Sequence, residues 1–271
     1  MPQPPPSVAS LPFLSLSGRT ALITGGSRGI GAATVRLFRQ AGARVAFSFN
    51  TAADRANALA NELGGPSLCR ALQQPLFSPA DGRALIAATL AAFGQIDVLV
   101  VNHGVWPAHD QPCNTMSDEQ WSSTLAINLH SVFGLVQAAT AHMLSRTPSD
   151  GAPRGHIVLV ASTAAQRGEA FHADYAASKG ALISLTKSLS SELAPQGILV
   201  NCVAPGWVAT EMSAAALADP AASNKAMSLI PLGRPAHVDE IAGPILFLCT
   251  PFAGFISGEI SNVNGGAVLT G

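Results

Sequence analysis

The sequence predicts an α/β fold in which a doubly wound parallel sheet of about seven strands has helices on both faces. Two observations predict it. From about residue 19 onward, short apolar runs alternate with helical patterns. The runs are apolar throughout, as expected of strands that are covered on both sides. With no internal repeat and no break in composition, we expect a single domain over 18–271 after a flexible arm over 1–17.

The elements follow in order along the chain. A first strand, TALIT (20–24), leads through a glycine cluster into a helix that ends at Gly42. A second strand, ARVAFSF (43–49), leads into a helix that Gly64 and Gly65 close. Further strands are predicted at 97–102, 156–162, 198–204 and 259–264, and further helices at 118–142, 173–194 and 236–249. Sheets of this kind bind ligands at the carboxyl ends of their strands.

Charge and composition exclude several classes of function. The net charge of −1, without a basic stripe, argues against nucleic acid and against a membrane surface as partners. The N-terminus has no signal-peptide pattern and no apolar run reaches membrane-spanning length, so we expect a cytoplasmic protein. No metal site is expected, because His109, His142 and His237 lack ligand spacing. The four cysteines are interpreted as buried apolar side chains.

A glycine loop, TGGSRGIG, joins the first strand to the first helix. Gly25, Gly29 and Gly31 allow a tight turn and the close approach of a pyrophosphate to the backbone. The helix N-terminus adds free N–H groups and a partial positive charge. The position of this loop directly after the first strand therefore predicts a dinucleotide site.

The end of the second strand indicates which dinucleotide binds. An acidic residue there would bind the adenosine ribose of NAD, but Phe49 and Asn50 stand at these positions. Arg28 could pair with a 2′-phosphate, and Ser48, Asn50 and Thr51 could add hydrogen bonds. Arg28 could also be an ordinary solvated cation. We expect NADPH to be preferred over NADH.

The only tyrosine of the chain, Tyr175, stands four residues before Lys179 in the segment HADYAASKG. On a helix, this spacing places both side chains on one face. A nearby ammonium lowers the pKa of a phenol and makes it a better acid–base group. Ser162 closes a predicted strand and could donate to a developing oxyanion. Taken singly, Ser162 could begin a turn and Tyr175 could simply pack.

Taken together, these motifs resemble the short-chain dehydrogenase/reductase family over residues from about 18 to 268. The chain has TGGSRGIG, VNHG, Asn128 in AINLHSVFG, Ser162, YAASK, VAPGWVAT and NVNGG in the family's order. The resemblance implies a Rossmann fold and an oxidoreductase that uses a nicotinamide cofactor. It also implies a homotetramer or homodimer, with the helices around 118–142 and 173–194 and the C-terminal region between subunits.

The family's roles carry over to matching positions. By this resemblance, Tyr175 is the acid–base group and Ser162 orients and polarises the carbonyl. Lys179 binds the nicotinamide ribose and lowers the tyrosine pKa, and Asn128 holds a water that connects Lys179 to solvent. Together with the loop and strand end above, the expected cofactor contacts are Gly25, Ser27, Arg28, Gly29, Ile30, Gly31, Ser48, Asn50, Thr51, Asn102, Gly104, Tyr175, Lys179, Pro205, Gly206, Val208 and Thr210.

Three positions depart from the family's pattern. His103 replaces a residue of the usual NNAG, and we interpret it as a local packing variant, with cofactor contact as the alternative. Gln73 or Gln74 replaces an aspartate that commonly ends the third strand, with the register open. Asn264 stands where aspartate is common. None of these changes removes a catalytic group.

The predicted substrate pocket draws on 105–117, 163–172 and the loop after Thr210. Trp106, Phe171, Trp207 and Met212 predict an apolar pocket for a small carbonyl or alcohol substrate. The roles of Glu169 and His172 stay open. The leading hypothesis is an NADPH-dependent reductase of ketones or aldehydes, reversible as an alcohol dehydrogenase.

Three alternatives stand beside this hypothesis. A 3-oxoacyl-carrier-protein reductase fits the motifs, but Gln196 stands where such enzymes often have arginine. A non-catalytic dinucleotide sensor would have no reason to retain Asn128, Ser162, Tyr175 and Lys179. An epimerase or dehydratase of a related fold usually needs a longer C-terminal region and ranks last.

Overall fold

A computed structural model of the chain describes residues 14–147 and 152–269. Its seven strands form one parallel sheet in the order β3-β2-β1-β4-β5-β6-β7. The strands are β1 (Thr20–Ile23), β2 (Arg44–Phe49), β3 (Cys69–Gln73), β4 (Val98–Val101), β5 (Gly155–Val160), β6 (Ile198–Pro205) and β7 (Ile260–Val263). The predicted doubly wound fold is therefore confirmed.

Ten α-helices connect or follow these strands in the described part of the chain. They are α1 (Gly29–Gln40), α2 (Ala53–Glu62), α3 (Pro79–Phe93), α4 (Asp118–Leu125), α5 (Ser131–Ser145), α6 (Ala164–Arg167), α7 (Ala173–Leu193), α8 (Ala214–Ala218), α9 (Pro220–Ser228) and α10 (Val238–Phe247). No helix within 14–147 and 152–269 combines the length and apolar character needed to cross a membrane.

The sheet separates two apolar cores, because side chains of its strands point alternately to opposite faces. In β1, Ile23 packs into the core that contains Phe38 of α1 and Ile245 of α10. Its neighbour Leu22 packs into the core that contains Leu85 of α3 and Leu135 of α5. Burial on both faces explains why the strands read as continuous apolar runs.

The order of the strands reverses at β1. From there the chain moves outward to β2 and β3, and then returns to place β4 on the other side of β1. Connections therefore leave β1 and β4 in opposite directions, which opens a crevice beyond their carboxyl ends. The glycine loop and the VNHG segment follow these two strands directly.

One predicted helix differs from the structure. The stretch 118–142 is divided into α4, a π-helical segment over Ala126–His130, and α5. Within this π-segment the N–H of Ser131 donates to the carbonyl of Ala126, five residues earlier. Such π-bulges reorient neighbouring side chains and occur frequently at functional sites. The segment contains Asn128, one of the predicted catalytic residues.

Two other expectations concern single positions. Most of the predicted flexible arm, residues 1–13, lies outside the described residues, but Leu16 is buried against the core and its N–H donates to the Ala41 carbonyl at 2.7 Å. The packed region therefore begins before residue 18. Cys69, Cys202 and Cys249 are buried as expected, whereas Cys113 is exposed, because it lies in a short 3-10 turn with no buried residue.

Candidate active site

A cleft lies at the carboxyl ends of the strands and brings the predicted site residues together. Of the expected cofactor residues, all but Gly31 line it. Ser162, Tyr175 and Lys179 line it as well, whereas Asn128 stands behind its wall. The carboxyl-end rule for parallel sheets therefore located the cleft correctly.

The glycine loop is packed too tightly for side chains. A Cβ on Gly31 would lie 2.1 Å from the Gly25 carbonyl oxygen, and one on Gly29 would lie 3.3 Å from Cγ2 of Thr210. Gly25 and Gly29 also have φ values of +65° and +52°, which favour glycine. No side chain caps α1, and its first turn holds no acidic residue. The N–H groups at the start of α1 are therefore not occupied by a side chain and could bind a phosphate in the cleft.

Asn102 fastens the glycine loop to the end of β4. Its side-chain amide donates to the carbonyls of Thr24 and Gly25 at 3.1 and 3.3 Å. Ser48 fastens the same loop from β2, because its hydroxyl accepts the N–H of Gly25 at 3.1 Å. The structure thus gives both residues a role in shaping the loop, in addition to lining the cleft.

The end of β2 is bordered by two arginines. Arg28 forms an ion pair with Glu211 at 3.3 Å, and Arg55 of α2 pairs with the other oxygen of the same carboxylate. Arg28 is thus an exposed cation with an ion-pair partner, and its contact with a 2′-phosphate stays a prediction. The register between β2 and β3 pairs Phe49 with Gln73, and Gln74 is the glutamine that lines the cleft.

Ser162 and Tyr175, two of the predicted catalytic residues, meet in the cleft. Their side chains are hydrogen-bonded to each other, and the Ser162 hydroxyl also accepts the N–H of Ala164 at 3.1 Å. Burial raises the pKa of Tyr175 to about 12; the Ser162 hydrogen bond lowers it and the Glu169 charge raises it. Burial sets the direction of this shift, and Lys179 is not among the groups that contribute to it, so the lowering of the Tyr175 pKa by Lys179 stays a prediction.

Lys179 is buried beneath the cleft. Its ammonium lies 6.0 Å from the centre of the Tyr175 ring and donates to the Val160 carbonyl at 2.8 Å. Burial lowers the pKa of Lys179 to about 8. Gly104 leaves room above it, since a Cβ there would lie 3.3 Å from the ammonium and 3.0 Å from Oδ1 of Asn128.

Asn128 holds the segment after β4 in place through two hydrogen bonds to its backbone. Its Oδ1 accepts the N–H of Val105 at 2.8 Å, and its Nδ2 donates to the Val105 carbonyl at 2.9 Å. Nδ2 also donates to the hydroxyl of Ser178 at 3.1 Å. Both amide hydrogens are therefore used within the protein, and the predicted water would need the remaining oxygen lone pair or the backbone.

His103 ties the end of β1 to the π-segment. Its Nδ1 lies 2.8 Å from the Thr24 hydroxyl, and its Nε2 lies 3.1 Å from the Ile127 carbonyl and 2.9 Å from the Ser131 hydroxyl. Burial, followed by the Lys179 charge, lowers the pKa of His103 to about 3. His103 thus packs locally, as interpreted from the sequence, and it also lines the cleft.

The end of the cleft beyond Tyr175 is aromatic. Trp106 stands edge-on to Trp207, with ring centres 6.2 Å apart, and both line the cleft with Met212. The Trp106 indole N–H donates to Glu169 at 3.2 Å, and burial raises the pKa of Glu169. Phe171, which was also predicted for the pocket, is half exposed and lies outside this lining.

His172 supports this aromatic end from behind. Its ring stacks on Trp106 at 4.8 Å, and its nitrogens face the carbonyls of Pro107 and Ala170 at 2.9 and 3.2 Å. It is buried and is not among the residues that line the cleft. His172 therefore joins the 105–110 segment to the segment before α7.

Several lining or bordering residues were not predicted from the sequence. They are Leu76 and Phe77 in the lining, and Arg55 beside it, whereas Arg167 and Glu211 lie in segments that were predicted for the substrate pocket. Leu76 and Phe77 follow β3, so the carboxyl-end rule could have identified them. Nothing in the sequence links Glu211 to Arg55, because 156 residues separate them.

Comparisons with known proteins agree with this geometry. Residues 25–268 match a family model described as enoyl-(acyl carrier protein) reductase. The 3-oxoacyl-[acyl-carrier-protein] reductase of Escherichia coli strain K12 is 35% identical over 256 residues, covering 94% of this chain and 100% of the relative.

Two solved structures extend the likeness to three dimensions. One is a short-chain dehydrogenase/reductase from Brucella melitensis, with a TM-score of 0.84 and 35% identity, covering 94% of this chain and 98% of the other. The other is a blue fluorescent protein from a metagenomic library in complex with NADPH. It has a TM-score of 0.83 and 33% identity, covering 94% of this chain and all of the other.

Proposed function

Because this chain belongs to the short-chain dehydrogenase/reductase family, we propose that it reduces the 3-keto group of 3-oxoacyl thioesters, such as those held on acyl carrier protein, with NADPH. The observation on which this rests is the hydrogen-bonded pair of Ser162 and Tyr175, beside Lys179, in the cleft that the glycine loop borders. The name of the Escherichia coli relative favours this substrate over the broader ketone or aldehyde reduction predicted first.

The cleft fits a dinucleotide. The glycine loop leaves space that any Cβ on Gly29 or Gly31 would fill, and the first turn of α1 holds neither a capping side chain nor an acid. At the far side of the cleft, a Cβ on Gly206 would lie only 3.1 Å from the Cα of Asn264. NADPH, when bound, supplies the hydride. The loop residues, Lys179 and the segment from Pro205 to Thr210 would hold it.

Tyr175 is suited to act as the acid of a carbonyl reduction. With a pKa of about 12, its phenol keeps its proton throughout the neutral range. As negative charge develops on the keto oxygen, the phenol transfers this proton to it, and the Ser162 hydroxyl donates a second hydrogen bond. In this step Lys179 stabilises the phenolate that remains, because its ammonium is the nearby cation.

The remaining surfaces fit a thioester substrate. Trp106, Trp207 and Met212 offer an apolar wall to the acyl chain. Gln196, which is an arginine in many carrier-protein reductases, removes one cation that would attract an acidic carrier. We therefore expect coenzyme A thioesters to be accepted as well. We further propose that the domain from about residue 18 onward is one catalytic unit.

The test is NADPH oxidation with 3-oxoacyl-carrier-protein, with acetoacetyl-coenzyme A and with simple ketones. We expect thioesters to give the higher kcat/KM. Tyr175→Phe should lower kcat about 10²–10⁴-fold, while the Kd for NADPH stays near that of the wild type. Faster turnover of simple ketones would instead favour the first hypothesis, a reductase of ketones or aldehydes in general. Tight dinucleotide binding without turnover of any carbonyl would indicate a sensor.

A further inference from the structure

Glu169 places a carboxyl group at the aromatic end of the cleft. It follows α6 and precedes α7, and it lines the cleft together with Trp106 and Trp207. Its backbone carbonyl accepts the N–H of His172 at 3.2 Å, which fixes the chain at this point. The proton transfer to the keto oxygen comes from Tyr175 and needs no second acid, so Glu169 has no part in that step.

The described residues use one oxygen of this carboxyl group. Oε1 accepts the indole N–H of Trp106 at 3.2 Å. Within residues 14–147 and 152–269, no group donates a hydrogen bond to Oε2, and Oε2 is not sealed inside the protein. A carboxylate has about four acceptor positions on its two oxygens, so most of those on Glu169 are open to a bound molecule.

The surroundings of Glu169 make these open positions costly once a substrate binds. Trp106, Trp207 and Met212 line the same end of the cleft and are largely apolar. Burial is the largest influence on the pKa of Glu169 and raises it. A purely apolar substrate would displace water from the carboxyl group and give nothing in return, whereas a substrate with a hydrogen-bond donor would replace the lost water.

We propose that Glu169 is a specificity-determining residue that accepts a hydrogen bond from a neutral donor of the substrate, either a hydroxyl of the acyl chain or an amide N–H of the pantetheine arm. The inference rests on the proposed reduction of 3-oxoacyl thioesters and deepens it, because it states which substrates of that class the site prefers. A site with a buried group that binds a donor strongly rejects the analogue that lacks this donor.

Two pairs of ketones of matched length show which donor is recognised. The first pair is 4-hydroxy-2-butanone and 2-pentanone, which differ in a terminal hydroxyl or methyl group. The second pair is the N-acetylcysteamine thioester and the S-pentyl thioester of 3-oxobutanoate, which differ in an amide. The measured quantity is the ratio of kcat/KM within each pair, with NADPH as the reductant. Effects on Tyr175 or on cofactor binding act on both members of a pair and cancel in this ratio.

Glu169→Gln is the central variant, because glutamine keeps an oxygen for the Trp106 N–H and places an NH2 group where Oε2 stood. The wild type should favour the donor about tenfold or more in one pair, as expected of a hydrogen bond to a charged group. In Glu169→Gln an amide donor should lose this preference, since an NH2 group cannot accept. A hydroxyl should lose only part of it, because it can turn and accept instead. Glu169→Leu should lose the preference for either donor.

Two controls separate recognition by Glu169 from support of the aromatic wall. Glu192→Gln makes the same substitution at the exposed far end of α7, away from the cleft lining, and should leave both ratios unchanged. Trp106→Phe removes the indole N–H but keeps an aromatic ring, and it should retain the preference. If Glu169 only held Trp106 in place, Trp106→Phe would lose the preference and Glu169→Gln would keep it.

Each outcome decides the proposal. A wild-type preference that both Glu169 variants reduce supports it, and the pair that responds identifies the donor. Wild-type ratios near one in both pairs, or a preference that Glu169→Leu leaves unchanged, overturn it while NADPH-dependent reduction stands. A preference lost in Trp106→Phe but kept in Glu169→Gln overturns it as well. Failure to reduce any of these ketones or acetoacetyl-coenzyme A would overturn the proposed function, and this proposal with it.

Discussion

At the scale of single residues, we expect Lys179 to set the loss of activity at alkaline pH. The pKa of Tyr175 is about 12, so its phenol does not lose its proton in the working range, whereas burial lowers the pKa of Lys179 to about 8. The charged lysine is therefore present below about pH 8 and is lost above it. We expect kcat/KM for reduction to fall about tenfold per pH unit above that point.

The Lys179 prediction is checked with a pH profile of the wild type and of Lys179→Arg. Arginine stays charged at every pH used, so the limb near pH 8 should vanish even if overall activity drops. Persistence of the same limb in this variant would contradict the assignment. An isosteric Lys179→Met variant, uncharged at all pH values, serves as the second control.

His103 departs from the family's NNAG motif. Its hydrogen bonds hold the end of β1 and the π-segment together. The Thr24 hydroxyl accepts the N–H groups of Asn102 and His103, so its own proton goes to Nδ1 of the ring, and Nε2–H points to the Ile127 carbonyl. A neutral imidazole meets both demands, and a pKa of about 3 keeps the ring neutral.

Replacing His103 by alanine should destabilise the protein by about 1–3 kcal/mol, because buried hydrogen-bonding groups lose their partner. Urea unfolding at pH 6 and at pH 8 measures it. The loss should be smaller at pH 6, by up to about 1 kcal/mol, because the unfolded histidine binds a proton there and the buried ring does not. His103→Gln should recover part of the loss through an amide N–H. A loss that is larger at pH 6 would mean that the ring is charged.

At the scale of elements, α3 and α5 cross at two glycines. A Cβ on Gly134 would lie 2.0 Å from the Pro79 carbonyl oxygen, and one on Gly82 would lie 2.5 Å from the Ser131 carbonyl oxygen. Both contacts are with backbone atoms, which cannot move aside as a flexible side chain would. The end of α5 next to the π-segment is therefore held against α3.

Gly134→Ala should destabilise the protein by about 1–3 kcal/mol or more, because it overpacks this crossing. Gly243→Ala is the matched control: it lies within α10, and its Cβ would meet no atom within 4 Å. There alanine should stabilise the helix by up to about 1 kcal/mol. Thermal unfolding of both variants measures the difference, and an unchanged Tm for Gly134→Ala would show that α3 and α5 can separate freely.

The elements also show where sequence reasoning succeeds and where it stops. Apolar runs located six of the seven strands within two residues, because burial on both faces leaves a continuous signal. Strand β3 was not located in this way, since only Cys69 of its five residues is buried. The π-segment around Asn128 has no such signal, since one extra residue in a helical turn changes no periodicity that a short stretch can reveal. The third helix, α3, was not predicted from the sequence, although Ser78 and Asp81 form a capping box at its start.

The same contrast holds within the site. Tyr175 and Lys179 could be paired from their spacing, because helix geometry fixes residues four apart. The rise of the Tyr175 pKa could not be predicted, since it depends on burial by segments distant in sequence. The pairing of Arg28 with Glu211 spans 183 residues, and no local pattern encodes it.

At the scale of the whole molecule, α5 and α7 leave an apolar face without a partner from the described residues of this chain. A groove between them is lined by Pro79, Leu129, His130, Phe133, Ala181, Ser184, Leu185 and Ser188. Phe133 is 53% exposed there, and no carboxylate, lysine or arginine lines the groove. Faces of this kind mark interaction sites, and homo-oligomers usually bury the same patch on both copies.

We therefore predict that a second copy of the chain covers this groove, which agrees with the dimer or tetramer expected from the family. Phe133→Asp should halve the molar mass measured by light scattering, because a carboxylate cannot be buried against an apolar copy of itself. Leu68→Asp, at an exposed position beside the opposite edge strand β3, should leave the mass unchanged. A wild type that is already monomeric, or a Phe133→Asp variant of unchanged mass, would place the subunit contact elsewhere and leave the α5–α7 face to solvent.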